Sequence, residues 1–323
     1  MKYTKLNDPN TYSRITPELE EMPIPAHTIF NVAENEEIKR SYVQSRTTTL
    51  QELRILLDEE DITIVETIAA SKYLTSLQIF EYITLRGLDV KRENLRKHLL
   101  KLMKYRVIQE SMLLQPGCVK GIMYYELNYL GFLLSKNGID FHKGIQFTGI
   151  SKSDDPCRIK RILVGNQIIL NLLMSNIVME RFGVMETMRP IVEGSVGNIL
   201  IRTPVYVRID QNSVLAYDVV RDTEEGYLKI LDKVNRYYQL IHNQDYLISN
   251  FHHDIVYPQL IICGESFEHN VKILKLLKES NLYNDEDPIL FTEDLLNLRR
   301  FPVSIYGLDE NNKQIWYSLP QNN

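Results

Sequence analysis

The sequence predicts a mixed α/β protein in two parts: a helical domain closed by a β-hairpin, then a larger α/β domain. Three observations predict it. Between residues 61 and 107, apolar residues recur at helical spacing in three successive segments, and two β-rich runs follow. From about residue 199 onward, strand-like runs alternate with helical ones, the order of a mixed sheet carrying helices. The length, 323 residues with 44% apolar and 24% charged, suits two globular domains better than one.

The elements follow in order. Residues 1–48 lack sustained periodicity and hold the Pro-punctuated run PNTYSRITPELEEMPIPAH, which predicts an N-terminal arm. From Thr49, Leu50, Leu53, Leu56 and Leu57 recur at three- and four-residue steps. Ile62, Ile64, Val65, Ile68 and Ala69 form a first amphipathic helix of the 49–141 domain. Leu74–Ile83 begins a second, with Thr75 and Gln78 at capping-box spacing and Gly87 at its end. The segment VKRENLRKHLLKLMKYRV, residues 90–107, is the third. Val107–Leu114 and Ile122–Leu127 read as paired strands around the turn-rich loop QPGCVKG, and YLGFLLSKNG as a short closing helix. Residues 142–157 mix Gly, Ser, Asp and Pro and predict a linker. The 158–323 domain opens with a long apolar helix, Arg158–Phe182. Strands at Ile199–Ile209 and Val214–Val220 precede a helix near Glu224–His242. A strand at Gln259–Cys263, a helix at Glu268–Lys278, and strands near Pro288–Phe291 and Gln314–Leu319 complete it.

Charge is concentrated in one place. Residues 90–107 carry seven cations, Lys91, Arg92, Arg96, Lys97, Lys101, Lys104 and Arg106, and one acid, Glu93. The whole chain is net −5, so the remainder holds 30 basic residues against 41 acidic. On a helical wheel, Leu95, Leu99, Leu102 and Met103 share one face and Asn94, Lys97, Lys101 and Lys104 the opposite one. A merely solvated face mixes signs for i,i+4 pairing. This one repels itself, and Lys91 and Arg92 lie where the helix dipole disfavours cations. Phosphates would offset both costs and release counterions. Three helices and a hairpin are the order of a winged helix, and its third helix is the one that enters the major groove. The expectation is double-stranded DNA bound by Lys91, Arg92, Asn94, Arg96, Lys97, Lys101, Lys104 and Arg106. Lys120 in the hairpin loop faces backbone or minor groove. An acidic protein partner is the competing reading.

The helices and hairpin, followed by YYELNYLGFLLSKNG, resemble the N-terminal half of the replication-relaxation family, winged-helix proteins of plasmids and conjugative elements related to mobilisation accessory proteins. LAYDVVRDTEEGYLKILDKVNRYY is similar to that family's strand-then-helix block, with Asp218, Arg221, Thr223, Glu224, Lys233 and Tyr237 in its polar places. The resemblance spans roughly residues 60–265. It implies control of replication, transfer or transcription on a mobile element, with replication or transfer proteins as partners. The block also resembles a PD-(D/E)xK nuclease core, whose carboxylates hold a divalent metal. Val205 stands where that core needs an acid and Val220 where it needs a Lys, while Asp218, Asp210 and Asp222 are the carboxylates at hand. The expectation is a degenerate, non-catalytic domain without cofactor or metal; a metal-dependent nuclease is the alternative.

Other chemistry finds little support. Adjacent His252 and His253 with Asp254 are awkward joint ligands. Ser266 lacks the Gly-x-Ser-x-Gly elbow, and Gly194 and Gly197 lack a phosphate-loop Lys. Cys118, Cys157 and Cys263 are too few and too scattered for a disulfide framework, which fits a reducing cytoplasm. The N-terminus carries no signal-like apolar core. Ile162–Met179 is interrupted by Gly165, Asn166, Gln167, Asn171 and Asn176, so a buried helix is expected and no membrane span. The many-sided apolar helix Arg158–Phe182 must be covered; a homodimer is the expected cover, and complete cover by the sheet of its own domain and the winged helix is the alternative.

Overall fold

In the computed structural model the described residues are 14–15, 30–32, 35–138, 155–177, 179–192, 195–196, 201–210, 213–242, 247–249, 258–283, 289–298, 305–317 and 319. The chain forms two compact units, Val32–Asn166 and Met1–Asn31 with Gln167–Asn323. The first strand, β1 (Arg14–Ile15), belongs to the second unit.

The Val32–Asn166 unit combines helices with a small antiparallel sheet. Strand β2 (Glu37–Arg40) is followed by α1 (Leu50–Leu56), α2 (Glu59–Ser71), α3 (Ser76–Leu85) and α4 (Arg92–Lys104). Strands β3 (Ile108–Leu114) and β4 (Ile122–Leu127), helix α5 (Tyr129–Gly138) and the first part of α6 (Pro156–Met174) complete it. Three of these helices begin with a full capping box: Thr49 with Glu52, Asp58 with Asp61, and Thr75 with Gln78. Each box satisfies two orphan amide donors, so the starts of α1, α2 and α3 are locally encoded. Ile64, Val65, Ile68, Ile79, Ile83, Leu95, Leu99 and Leu102 are buried and hold α2, α3 and α4 together. Between α2 and α3, Leu74 bridges to Tyr125 of β4 through two backbone hydrogen bonds of 3.2 and 2.8 Å. The sheet order is β2-β3-β4. Gly121 opens β4 because a Cβ there would sit 1.8 Å from the carbonyl oxygen of Leu113.

In the second unit, α6 from Gln167 leads into β5 (Arg181–Val192), β6 (Ser195–Val196), β7 (Ile201–Arg208) and β8 (Val214–Val219). Helix α7 (Glu224–His242), β9 (Leu247–Ser249), β10 (Gln259–Gly264), α8 (Phe267–Glu279), β11 (Leu290–Glu293), α9 (Asp294–Leu298), β12 (Ile305–Leu308) and β13 (Gln314–Tyr317) follow. Seven strands make the body of a mixed sheet, in the order β13-β12-β11-β10-β8-β7-β5, with β1 added at β13 and the short β6 and β9 at β5. β8, β10 and β11 are parallel and the remaining pairs antiparallel. Every residue of β8 and β10 is buried, the pattern of strands covered on both faces.

Two expectations change. The arm at 1–48 is in part sheet: β2 pairs with β3, and β1 pairs with β13. Two-to-four-residue edge strands need no periodicity of their own, because pairing partners supply their hydrogen bonds. The helix expected to reach Phe182 stops at Met174. Asn176 takes φ +53° and the amide of Ile177 bonds the carbonyl of Leu172, closing the helix as a left-handed cap. Of the apolar residues of that helix, Ile159, Ile162, Leu163, Ile169, Leu170 and Ile177 are buried and Leu173 is half-buried. Most of the expected linker, residues 142–154, lies outside the described residues, as do His252, His253, Asp254, Gly194 and Gly197. Among the described residues no helix is long and apolar enough to cross a membrane.

Candidate nucleic-acid interface

Helix α4 is built from its buried face outward. Leu95, Leu99, Leu102 and Met103 anchor it, as the wheel requires. Its N-cap, Lys91, makes no side-chain cap bond, and Arg92 occupies the first turn. The start of α4 therefore lacks the acceptor that α1, α2 and α3 all have, and it carries cations at the positive end of the dipole. Lys104 in the last turn is favourably placed by the same dipole.

The outward side is exposed. Lys91, Arg92, Asn94, Arg96, Lys97, Lys104 and Arg106 are all exposed, and so is Lys120 at the hairpin tip. Among the described residues no carboxylate pairs with Arg92, Arg96, Lys97 or Lys104; Lys97 only donates to Asn94 Oδ1, at 3.3 Å. Burial, and then the carboxylate of Glu110 to which it donates at 2.7 Å, lift the phenol of Tyr125 on β4 well above its ordinary value, with Arg96 opposing them.

Lys101 departs from this group. Its ammonium lies 2.5 Å from Asp61 Oδ2 and 3.1 Å from Asp58 Oδ2, at the N-terminus of α2. Asp61 is fully buried. Burial works against the charge on Lys101, but the hydrogen bonds it donates to both carboxylates outweigh it and raise its pKa. Burial likewise pushes Asp58 up, and the Asp61 amide and Lys101 outweigh it and hold the carboxyl low. His98 joins the cluster, Nδ1 at 2.7 Å from Asp61 and Nε2 at 2.9 Å from Glu60. Lys101 and His98 thus tie α4 to α2. The ligand-capable atoms of Asp58, Glu60 and His98 fall within 4.8 Å of one another, but Lys101 and Asp61 already occupy two of the three.

Arg106 ends α4. The amides of Val107 and Arg106 bond the carbonyls of Leu102 and Met103, and Arg106 takes φ +56°. That is the cap position glycine usually fills. The Arg106 Nε donates to Ser45 Oγ at 2.6 Å. Two further large apolar residues that the wheel did not single out are exposed: Leu100, 46% exposed on α4, and Val119, 91% exposed beside Lys120 in the hairpin loop.

The six polar residues of the strand-then-helix block are spread over separate contacts. Asp218 and Lys233 form an ion pair at 2.7 Å, almost wholly buried. Arg221 is fully buried and grips Asp294 with two bonds of 2.6 and 2.9 Å, while also donating to the carbonyl of Phe30. Thr223 Oγ1 accepts from the amide of Gly226, and Tyr237 donates to the carbonyl of Pro258. Glu224 is exposed in the first turn of α7. Val205 and Val220 are buried, and Asp210 and Asp222 are exposed. Asp222 accepts from Tyr227 at 2.5 Å and pairs with Lys272 at 3.3 Å. The positions of the nuclease pattern therefore hold apolar side chains and one closed ion pair. Ser266 caps α8 by accepting from the amide of His269 at 3.2 Å.

Comparison with known proteins returns no matching family model, no matching curated protein and no matching solved structure.

Proposed function

We propose that the chain is a DNA-binding protein that reads duplex DNA with α4, as the recognition helix of a winged helix-turn-helix. The observation that carries this reading is the exposed cationic side of α4, where Arg92, Arg96, Lys97 and Lys104 have no carboxylate partner among the described residues of an otherwise acidic chain. The arrangement around it supports the same reading. α2, α3 and α4 precede a hairpin, and Leu74 makes the short bridge to that hairpin between the first two helices. Arg106, just before the hairpin's first strand, and Lys120, in the loop after it, are further exposed cations. Control of replication, transfer or transcription on a mobile element is the process the family resemblance suggests, and the few scattered cysteines suggest a cytoplasmic compartment. The second domain enters this proposal as a nuclease-like scaffold without catalysis, because Val205 and Val220 offer no metal ligand and Asp218 is held by Lys233.

The experiment is a titration of the full chain against randomised duplex DNA at two salt concentrations. Lys97→Ala with Lys104→Ala should weaken binding and reduce the salt slope by about 0.9 for each phosphate no longer neutralised. Unchanged affinity and slope would remove α4 from the interface.

A further inference from the structure

Resting on the DNA-binding reading above, we propose that Leu100 is a base-reading residue that packs on the C5-methyl group of a thymine, so that the sequence α4 reads contains an A·T pair at a fixed place.

The argument starts from spacing. Glu93, Lys97, Leu100 and Lys104 are separated by four, three and four residues, which puts them in one line along a helix. That line lies opposite the buried Leu95, Leu99 and Leu102. If α4 enters a groove by its outward side, this line faces the base edges, while Arg92 and Arg96 flank it toward the phosphates. A single exposed leucine on a mixed surface needs no explanation. Leu100 differs by its neighbours. One turn away on either side stand Arg96 and Lys104, with Lys97 beside it, and Leu100 remains 46% exposed. A solvated position among three cations gains most from a glutamate, which would pair with them at i±3 and i±4. Leucine forgoes that pairing and presents two methyl groups to water.

The major groove of DNA offers one apolar group to such a side chain, the thymine methyl. The cations around Leu100 supply the charge complementarity that brings a duplex there. Glu93, the lone acid of the line, suits the same surface, because it can accept from a cytosine amino group while a phosphate would repel it. RNA fits worse on both counts: uracil lacks the methyl, and the A-form major groove is too narrow to admit the helix.

The test uses the full chain and a duplex site recovered by selection from a randomised pool. Each thymine of that site is replaced in turn by deoxyuridine, which removes only the methyl. One replacement should weaken wild-type binding by about fourfold, the factor for one buried methyl. In Leu100→Ala the same replacement should have no effect, and Leu100→Met should restore most of it. The salt slope should stay that of the wild type, since no charge is removed, and the melting temperature should not move at this exposed position. Deoxyuridine that is neutral everywhere in the wild type, or equally costly in Leu100→Ala, overturns the assignment of Leu100 and leaves the DNA-binding reading standing. A pool that yields salt-dependent binding without a preferred site also overturns it. Absence of salt-dependent binding to any duplex sinks the DNA-binding reading itself.

Discussion

Lys97 and Lys101 lie one helical turn apart and carry the same charge, yet their surroundings give them different work. Lys97 faces solvent, while Lys101 neutralises the buried Asp61. Removing Lys101 strands a carboxylate in the protein, so Lys101→Ala should cost about 1–3 kcal/mol in urea denaturation. Lys97→Ala should stay within about 0.5 kcal/mol. Equal stability of the two variants would refute the division. The acid limb gives a second reading of it. Asp58 is held below its ordinary value, so its contribution is present at neutral pH and fades as pH falls through that lowered value. Arg106 carries the opposite trade. A non-glycine residue at φ +56° gives up about 1 kcal/mol relative to glycine. Arg106→Gly should therefore raise the midpoint of urea denaturation and at the same time weaken DNA binding. A variant that neither gains stability nor loses affinity would show that the side chain contributes nothing there. The cations were legible in the sequence because a wheel needs only local spacing. Lys101's partners were not, because Asp58 and Asp61 lie some forty residues earlier in the chain.

Elements were legible to the degree that they are local. The start of α3 is written in Thr75 and Gln78, and the structure contains both reciprocal bonds of that capping box. Gln78 also does something its spacing does not reveal: its side-chain amide donates to the carbonyl of Leu163, buried, at 2.8 Å. The two cap residues should then separate. Thr75→Ala should cost about 1 kcal/mol, the ordinary value of a cap. Gln78→Ala should cost about 2–3 kcal/mol, because a buried carbonyl loses its donor as well. Chemical denaturation of both variants checks this, and identical losses would mean that the Leu163 bond adds nothing. Strands β2 and β12 escaped the sequence for a related reason. β2 reads Glu-Ile-Lys-Arg and has only an edge to occupy, and β12 is four residues long with every one buried, so neither shows alternation. The end of α6 escaped because an asparagine, not a glycine, supplies its left-handed cap.

At the scale of the whole molecule, the chain is net −5 while residues 90–107 are strongly cationic, so a polyanion is attracted to one segment and repelled elsewhere. One recognition helix makes few base contacts, and two copies on two half-sites would double them. Light scattering on the complex with a selected site should report two chains per duplex, and magnesium should leave that duplex uncut. One chain on a compact site of high specificity would remove the two-half-site arrangement. Magnesium-dependent cutting that disappears in Asp218→Asn would make the second domain an enzyme. The mixed α/β class was legible, because successive helix-period segments precede the hairpin and strand-like runs then alternate with helical ones. The assignment of the first residues was not, since β1 and β2 join different sheets and each is defined by a distant partner.

That distant partner has a kinetic consequence. Ile38 pairs with Leu113, and Lys39 with Met112, across more than seventy residues. The loop between them must close before the pair rewards it, whereas α2, α3 and α4 need only neighbours in sequence. During synthesis, β2 emerges before α1 to α4 and waits for β3, so within its unit it pairs only after those helices have left the ribosome. A fragment cut to begin at Thr49 would fold its helices at speed and leave the outer edge of β3 bare. Such an edge invites pairing between chains, and the fragment should aggregate where the full chain does not.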